Sequence, residues 1–133
     1  MSYIEENAYE AMENIFSNIA KEEEYNFERY FAADMVKVNK KDCVYPCFWG
    51  FNSTSIAIVK INFELEKVDV NFIQTSGIKD IKMKRMFLSK SFYLTIECDD
   101  NTSFTIGVPY TLKYIHSQNE NVEEFLKQYP NHR

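Results

Sequence analysis

The sequence predicts a mainly β fold: an antiparallel barrel of about seven strands, capped by a C-terminal helix and preceded by an extra N-terminal helix. Three observations predict it. Between Met35 and Val108, apolar residues recur at every second position in short runs separated by turn-forming residues. From Asn121 the period lengthens, and Val122, Phe125, Leu126 and Tyr129 fall at i, i+3, i+4 and i+7 of a helix. Between Asn7 and Lys21, Ala8, Ala11, Met12, Ile15, Phe16 and Ile19 also keep helical spacing, with no Pro or Gly to interrupt them.

The N-terminal helix sets Glu10, Glu13, Asn14 and Ser17 opposite its apolar side, which is expected to pack on the sheet; a partner helix is the alternative occupant. After the acidic run Glu22–Glu24, residues 25 to 34 carry only a weak pattern. A strand begins at Met35-Val36-Lys37-Val38, and Asn39 to Asp42 reads as its turn. Cys43 to Phe51 is apolar and aromatic, although Pro46 disfavours a central, fully hydrogen-bonded position. Beyond a turn at Asn52-Ser53-Thr54, the stretch from Ser55 to Leu65 alternates. Its apolar set of Ala57, Val59, Ile61, Phe63 and Leu65 is expected to face the core.

Glu66-Lys67 forms the next turn, and Val68, Val70 and Phe72 mark another strand, which Gly77 ends. Alternation resumes from Ile78 to Phe87 and from Ser91 to Glu97. Asp99-Asp100-Asn101 makes a hairpin turn into Phe104, Ile106 and Val108, and Pro109 closes that strand. Asn121 is the expected N-cap of the last helix, with Glu124 in capping-box position and Pro130 as its stop.

With 133 residues, 45% of them hydrophobic, and only three glycines and three prolines, the chain is read as one domain. Residues 1–24 form a helical extension, and residues 35–129 form the barrel with its helix. No apolar run reaches the roughly 20 residues that span a bilayer, and the acidic start is not a secretory signal, so a cytoplasmic location is expected. The triplets at Asn52 and Asn101 are then chance matches to a glycosylation site. Cys43 and Cys47, if on one strand, stand roughly 13 Å apart, too far to bridge. Neither a CxxC nor an HxxxH spacing occurs, so no metal site is expected, and the three cysteines are read as buried free thiols.

Six or seven strands followed by one C-terminal helix resemble the pleckstrin-homology (PH) superfold, in the form of the small bacterial PH-like and GRAM-like domains. The segments that carry the resemblance are Phe48-Trp49-Gly50-Phe51 with Ser55 to Lys60, then Ile78-Lys79-Asp80-Ile81, Phe92 to Glu97, and the helix Asn121 to Tyr129. In those relatives the second strand pair commonly reads Thr-Asn-Lys-Arg-Leu. Here the stretch is Asn52-Ser53-Thr54-Ser55-Ile56, with Ser in place of the typical Arg. The resemblance implies a scaffold that binds lipids, peptides or proteins.

Chemistry is sparse. His116 is the histidine away from the terminus, and it is read as a surface or capping residue rather than a nucleophile's base. The glycines Gly50, Gly77 and Gly107 stand apart, so no phosphate loop exists, and no cofactor or enzyme activity is expected. Charge is segregated instead. Residues 1–34 hold nine acidic and two basic side chains, whereas residues 79–90 hold five basic ones against Asp80.

Two surfaces follow as candidates. Lys82, Lys84 and Arg85, with Lys37, Lys40 and Lys41 of the first hairpin, form a candidate anion or partner site. Membrane-binding PH domains place basic ligands in that hairpin, so anionic lipid is one reading and a solvated or internally paired face is the other. A net charge of −5 argues against nucleic acid. Tyr45, Phe48 and Trp49 are the candidate interface patch, with core packing as the alternative. The functional expectation is a non-enzymatic module for protein binding or self-association.

Overall fold

The computed structural model describes residues 8–24, 26–85, 91–109 and 117–128. Helix α1 (Ala8–Glu23) precedes strands β1 (Arg29–Val38), β2 (Lys41–Phe51), β3 (Ser55–Ile61) and β4 (Lys67–Gln74). A short 3₁₀ turn, Thr75–Gly77, leads to β5 (Ile78–Arg85), β6 (Ser91–Cys98), β7 (Ser103–Pro109) and helix α2 (Gln118–Lys127). The seven strands form one antiparallel sheet in the order β4-β3-β2-β1-β7-β6-β5. The described residues include no ladder between β4 and β5, so the sheet curls into a barrel that stays open along that seam.

Each sheet element follows from local chemistry, and several boundaries move from the sequence expectation. The first strand starts at Arg29, not Met35, because Tyr30 to Asp34 pair in register with Gly50 to Pro46. Asn39 and Lys40 alone make the first turn, both at positive φ, which leaves Lys41 and Asp42 inside β2. Pro46 is accommodated because the β3 ladder covers only Cys47 to Phe51 of β2. The third strand ends at Ile61. Asn62 Oδ1 accepts from the amides of Glu64 and Glu66, building a turn in which Leu65 adopts positive φ. Phe63, expected in the core, is therefore 72% exposed.

Two cores result. Inside the barrel, Phe31, Trp49, Phe51, Ile58, Leu94 and Ile106 surround Val122 and Phe125 of α2. The Phe125 ring meets Phe51 and Phe31 edge-on, with centroids 5.2 and 5.4 Å apart. On the outside of β1–β4, Ala32, Phe48, Ala57, Val59 and Ile61 receive Ala8, Met12, Phe16 and Ile19 of α1. The expected docking of α1 on the sheet is thus what forms. It needs Gly50, since a Cβ there would stand 2.6 Å from the Phe16 ring and 2.7 Å from Phe27.

Helix α2 starts a turn earlier than Asn121. Ser117 precedes it without a side-chain cap, and Asn121 serves a tertiary contact instead: its Nδ2 donates to the Tyr30 carbonyl at 2.8 Å. Residues 129 and 130, expected as the end of the stripe and its stop, lie outside the described residues. The buried Gln118 makes the decisive joint. The β1–β7 ladder runs as far as Asp34 opposite Gly107, and the next rung would join Ala32 to Pro109. Proline has no N–H to give. Gln118 takes that place: Oε1 accepts from the Ala32 amide at 3.0 Å, and Nε2 donates to the carbonyls of Ala32 and Pro109 at 2.8 and 2.9 Å.

Replacing this amide leaves buried backbone groups without partners. Gln118→Leu is expected to cost about 2–4 kcal/mol by urea denaturation, with faster exchange of the Ala32 amide. An unchanged midpoint would show that the rung is dispensable.

Candidate interaction surface

The outward face of β1, β7, β6 and β5 carries Lys37, Lys82 and Lys84 of the residues singled out from sequence. Register places Lys37 beside Thr105, Thr105 beside Thr95, and Thr95 beside Lys82, in one row across four strands. At the usual strand spacing the two lysine Cα atoms stand roughly 14 Å apart. Between them the Thr95 and Thr105 hydroxyls share a hydrogen bond of 3.2 Å. Lys84 lies in the next row, beside Tyr93 and then Gly107. Lys40 sits in the first turn, Lys41 opens β2 and Arg85 closes β5. Lys37, Lys82 and Lys84 therefore share a face, whereas Lys41 lies opposite Val38, which packs on the inner core.

That face is not a bare cation field. Lys37 pairs with Asp42 at 3.9 Å, and Lys82 reaches Glu97 at 3.4 Å and Asp80 at 4.0 Å. Such exposed pairs add little stability, but their carboxylates offset the charge that an anion would meet at Lys37 and Lys82.

The aromatic patch does not form as a surface. Adjacent strand residues point to opposite faces, so Phe48 enters the core under α1 while Trp49 enters the barrel, and both are fully buried. Tyr45 is half-buried at the barrel mouth with Lys60 Nζ 4.5 Å from its ring centre, and burial pushes its hydroxyl up to about 12.

The structure draws attention to β4 instead. It is the one strand, among those described, with no buried residue. Val68 and Phe72 are 54% and 41% exposed on the outward face; Val44 of β2 and Phe63 of the β3–β4 turn are 71% and 72% exposed. Along its inner face a cleft of about 470 Å³ runs past Asn71 and Ile73 toward Val38, Phe104 and the Asp99–Asp100 turn. The opposite edge of the sheet differs: β5 carries Lys79, Lys82 and Lys84. A lysine-bearing edge repels strand addition, and an apolar one invites it. Sequence alternation found β4 but not its exposure; α1 reaches Val70 and Lys67 of it through its apolar cluster and Glu22, and Val68 and Phe72 keep the exposures given above.

Residues with latent chemistry are placed for structure. All three cysteines are free; Cys47 is buried, its thiol donates to the Ala33 carbonyl at 3.4 Å, and burial pushes its pKa up to about 12. Cys98 is also buried, whereas Cys43 is only partly so. No group of three or more His, Cys, Asp or Glu that could hold a metal occurs among the described residues. His116 lies outside them. Within the described residues no helix is long and apolar enough to cross a membrane. The Asn52 side chain is engaged in its own turn, accepting from Thr54 and Ser55 and donating to the Asn26 carbonyl.

No protein-family model matches the chain. No curated protein matches it either. Solved structures share its fold. The C-terminal domain of an unknown protein from Leishmania infantum superposes with a TM-score of 0.58 at 11% identity, covering 90% of this chain and 98% of that one. The pleckstrin homology domain of USP37 gives 0.50 at 13% identity, over 79% of this chain and all of that one. The hSac2 domain from human phosphoinositide phosphatase Sac2 gives 0.53 at 7% identity, over 86% and 78%. The chain thus has a PH-like fold, and nothing in these likenesses favours its bacterial form.

Asp34, between the two candidate faces, has a buried Oδ1 with no hydrogen-bond partner, and burial raises its carboxyl above the ordinary range. The native state therefore holds that proton more tightly than the unfolded chain. The stability it contributes is full below the unfolded pKa and is lost as pH rises through the folded one. Asp34→Asn is expected to raise stability at neutral pH and to flatten that decline in urea midpoints. A decline kept in full by the variant would assign it to other groups.

Proposed function

We propose, from the PH-like fold as premise, that the chain acts as a single non-enzymatic interaction module and that β4 is its contact edge for protein. One observation carries the reading. Of the two edges of the sheet, β5 is lined with lysines, while β4 is apolar on its outward face from Val68 to Phe72 and borders a cleft on its inward one. A partner strand laid along β4 gains main-chain hydrogen bonds from the edge and apolar contact from Val68 and Phe72. The plugged barrel supports this, because α2 fills the interior that an enclosed small ligand would need.

Hydrogen exchange tests it. In complexes with a protein partner or with further copies of the chain, amides of Lys67–Gln74 are expected to gain protection. The double variant Val68→Lys/Phe72→Lys is expected to lose both complex and protection while keeping its circular dichroism. Protection confined to other strands sets the reading aside.

A second reading, binding of anionic headgroups, is favoured by the common row of Lys37 and Lys82. It predicts that vesicles containing anionic lipid float more protein than neutral ones, with the difference shrinking as salt rises. Equal flotation at low salt removes it.

A further inference from the structure

We infer that the strand laid on β4 is β4 of a second copy of this chain, antiparallel about a two-fold axis through Val70. This rests on the reading of β4 as the contact edge and names its partner. A two-fold axis normal to the sheet keeps outward residues facing outward residues. With the axis at Val70, Val68 lies opposite Phe72 of the second copy, Val70 opposite its own counterpart, and Phe72 opposite Val68. On the inward face Asp69 meets Asn71, while Lys67, shifted in register opposite Ile61 and paired with Glu22 of α1, stands outside the match. From Val68 to Phe72 every outward pair is apolar, and no charge meets its like.

Neighbouring registers lose this match. An axis at Asp69 sets two carboxylates face to face. An axis at Asn71 sets Val68 against Gln74 and Asp69 against Ile73. Head-to-tail addition of β4 to β5 brings the exposed Lys82 and Lys84 against the apolar outward row of β4, which opposes open-ended growth. The pattern on β4 is therefore complementary to itself and to no other edge among the described strands.

Sedimentation equilibrium over a wide concentration range tests the pairing, together with isotope-filtered nuclear Overhauser spectra of mixed labelled and unlabelled protein. The expected result is a mass that rises from monomer to dimer, with intermolecular contacts from the Val68 methyls to the Phe72 ring. Val68→Lys/Phe72→Lys is expected to stay monomeric throughout. Val68→Lys alone, at a half-exposed position, serves if the double variant does not fold. A wild-type monomer at every concentration overturns the inference; if β4 amides are still protected by another protein, the reading of β4 as a contact edge survives it. A dimer that persists in the variants, or whose contacts lie on other strands, overturns the inference and the placement together.

Discussion

The architecture turns on a missing hydrogen bond. Where β1 and β7 reach Ala32 and Pro109, the ladder comes to a residue that has no N–H, and two buried carbonyls and an amide are left without a backbone solution. Gln118 supplies the rung from a side chain, and doing so fixes where α2 begins. From that joint Asn121 reaches the Tyr30 carbonyl and Arg29, and Val122 and Phe125 drop into the barrel. The helix is a wedge held by β1 and β7 together, and the filled interior follows from its position.

The outer core depends on the same strand from its other side. Ala32 presents its backbone to Gln118 and its side chain to the α1 core, so β1 and β2 are sandwiched between the two helices. Small residues permit this. Ala32, Ala57 and Gly50 leave room for the Phe16, Phe27 and Tyr30 rings, with Phe16 and Tyr30 stacked at 4.9 Å. Nothing similar covers the outward face of β5–β7 among the described residues, and that face is correspondingly polar. The sheet thus divides into a half built for packing and a half built for water, with the apolar edge at the end of the packed half.

Most of this was legible where a single period dominates. The alternation of Phe92, Leu94 and Ile96 and the stripe of Val122, Phe125 and Leu126 each report one buried face, and each is buried. The reading failed where two faces are buried at once. β3 is apolar on both sides, Ile56 and Ile58 inward and Ala57, Val59 and Ile61 outward, so its pattern could not mark its end; the Asn62 turn did. Phe48 and Trp49 left patch and core both open for the same reason, since consecutive aromatics fit a patch as well as a strand between two cores, and the core is where they lie. Gln118 left no signal beyond Pro109, because its partners lie in a distant strand. The lysine row was half legible: the residues were visible, but their carboxylate partners come from register.

The joint also orders the chain in time. Gln118 bonds to a residue 86 positions earlier, so during synthesis β1 spends most of translation with its β7-facing backbone groups open. The α1 helix and the β1–β4 meander are complete in sequence by Gln74, well before any residue exists that can close that flank. A nascent chain therefore carries two receptive edges, β4 and β1, and only the second is sealed when the C-terminal segment emerges. Premature termination before β7 yields a protein with both of them exposed.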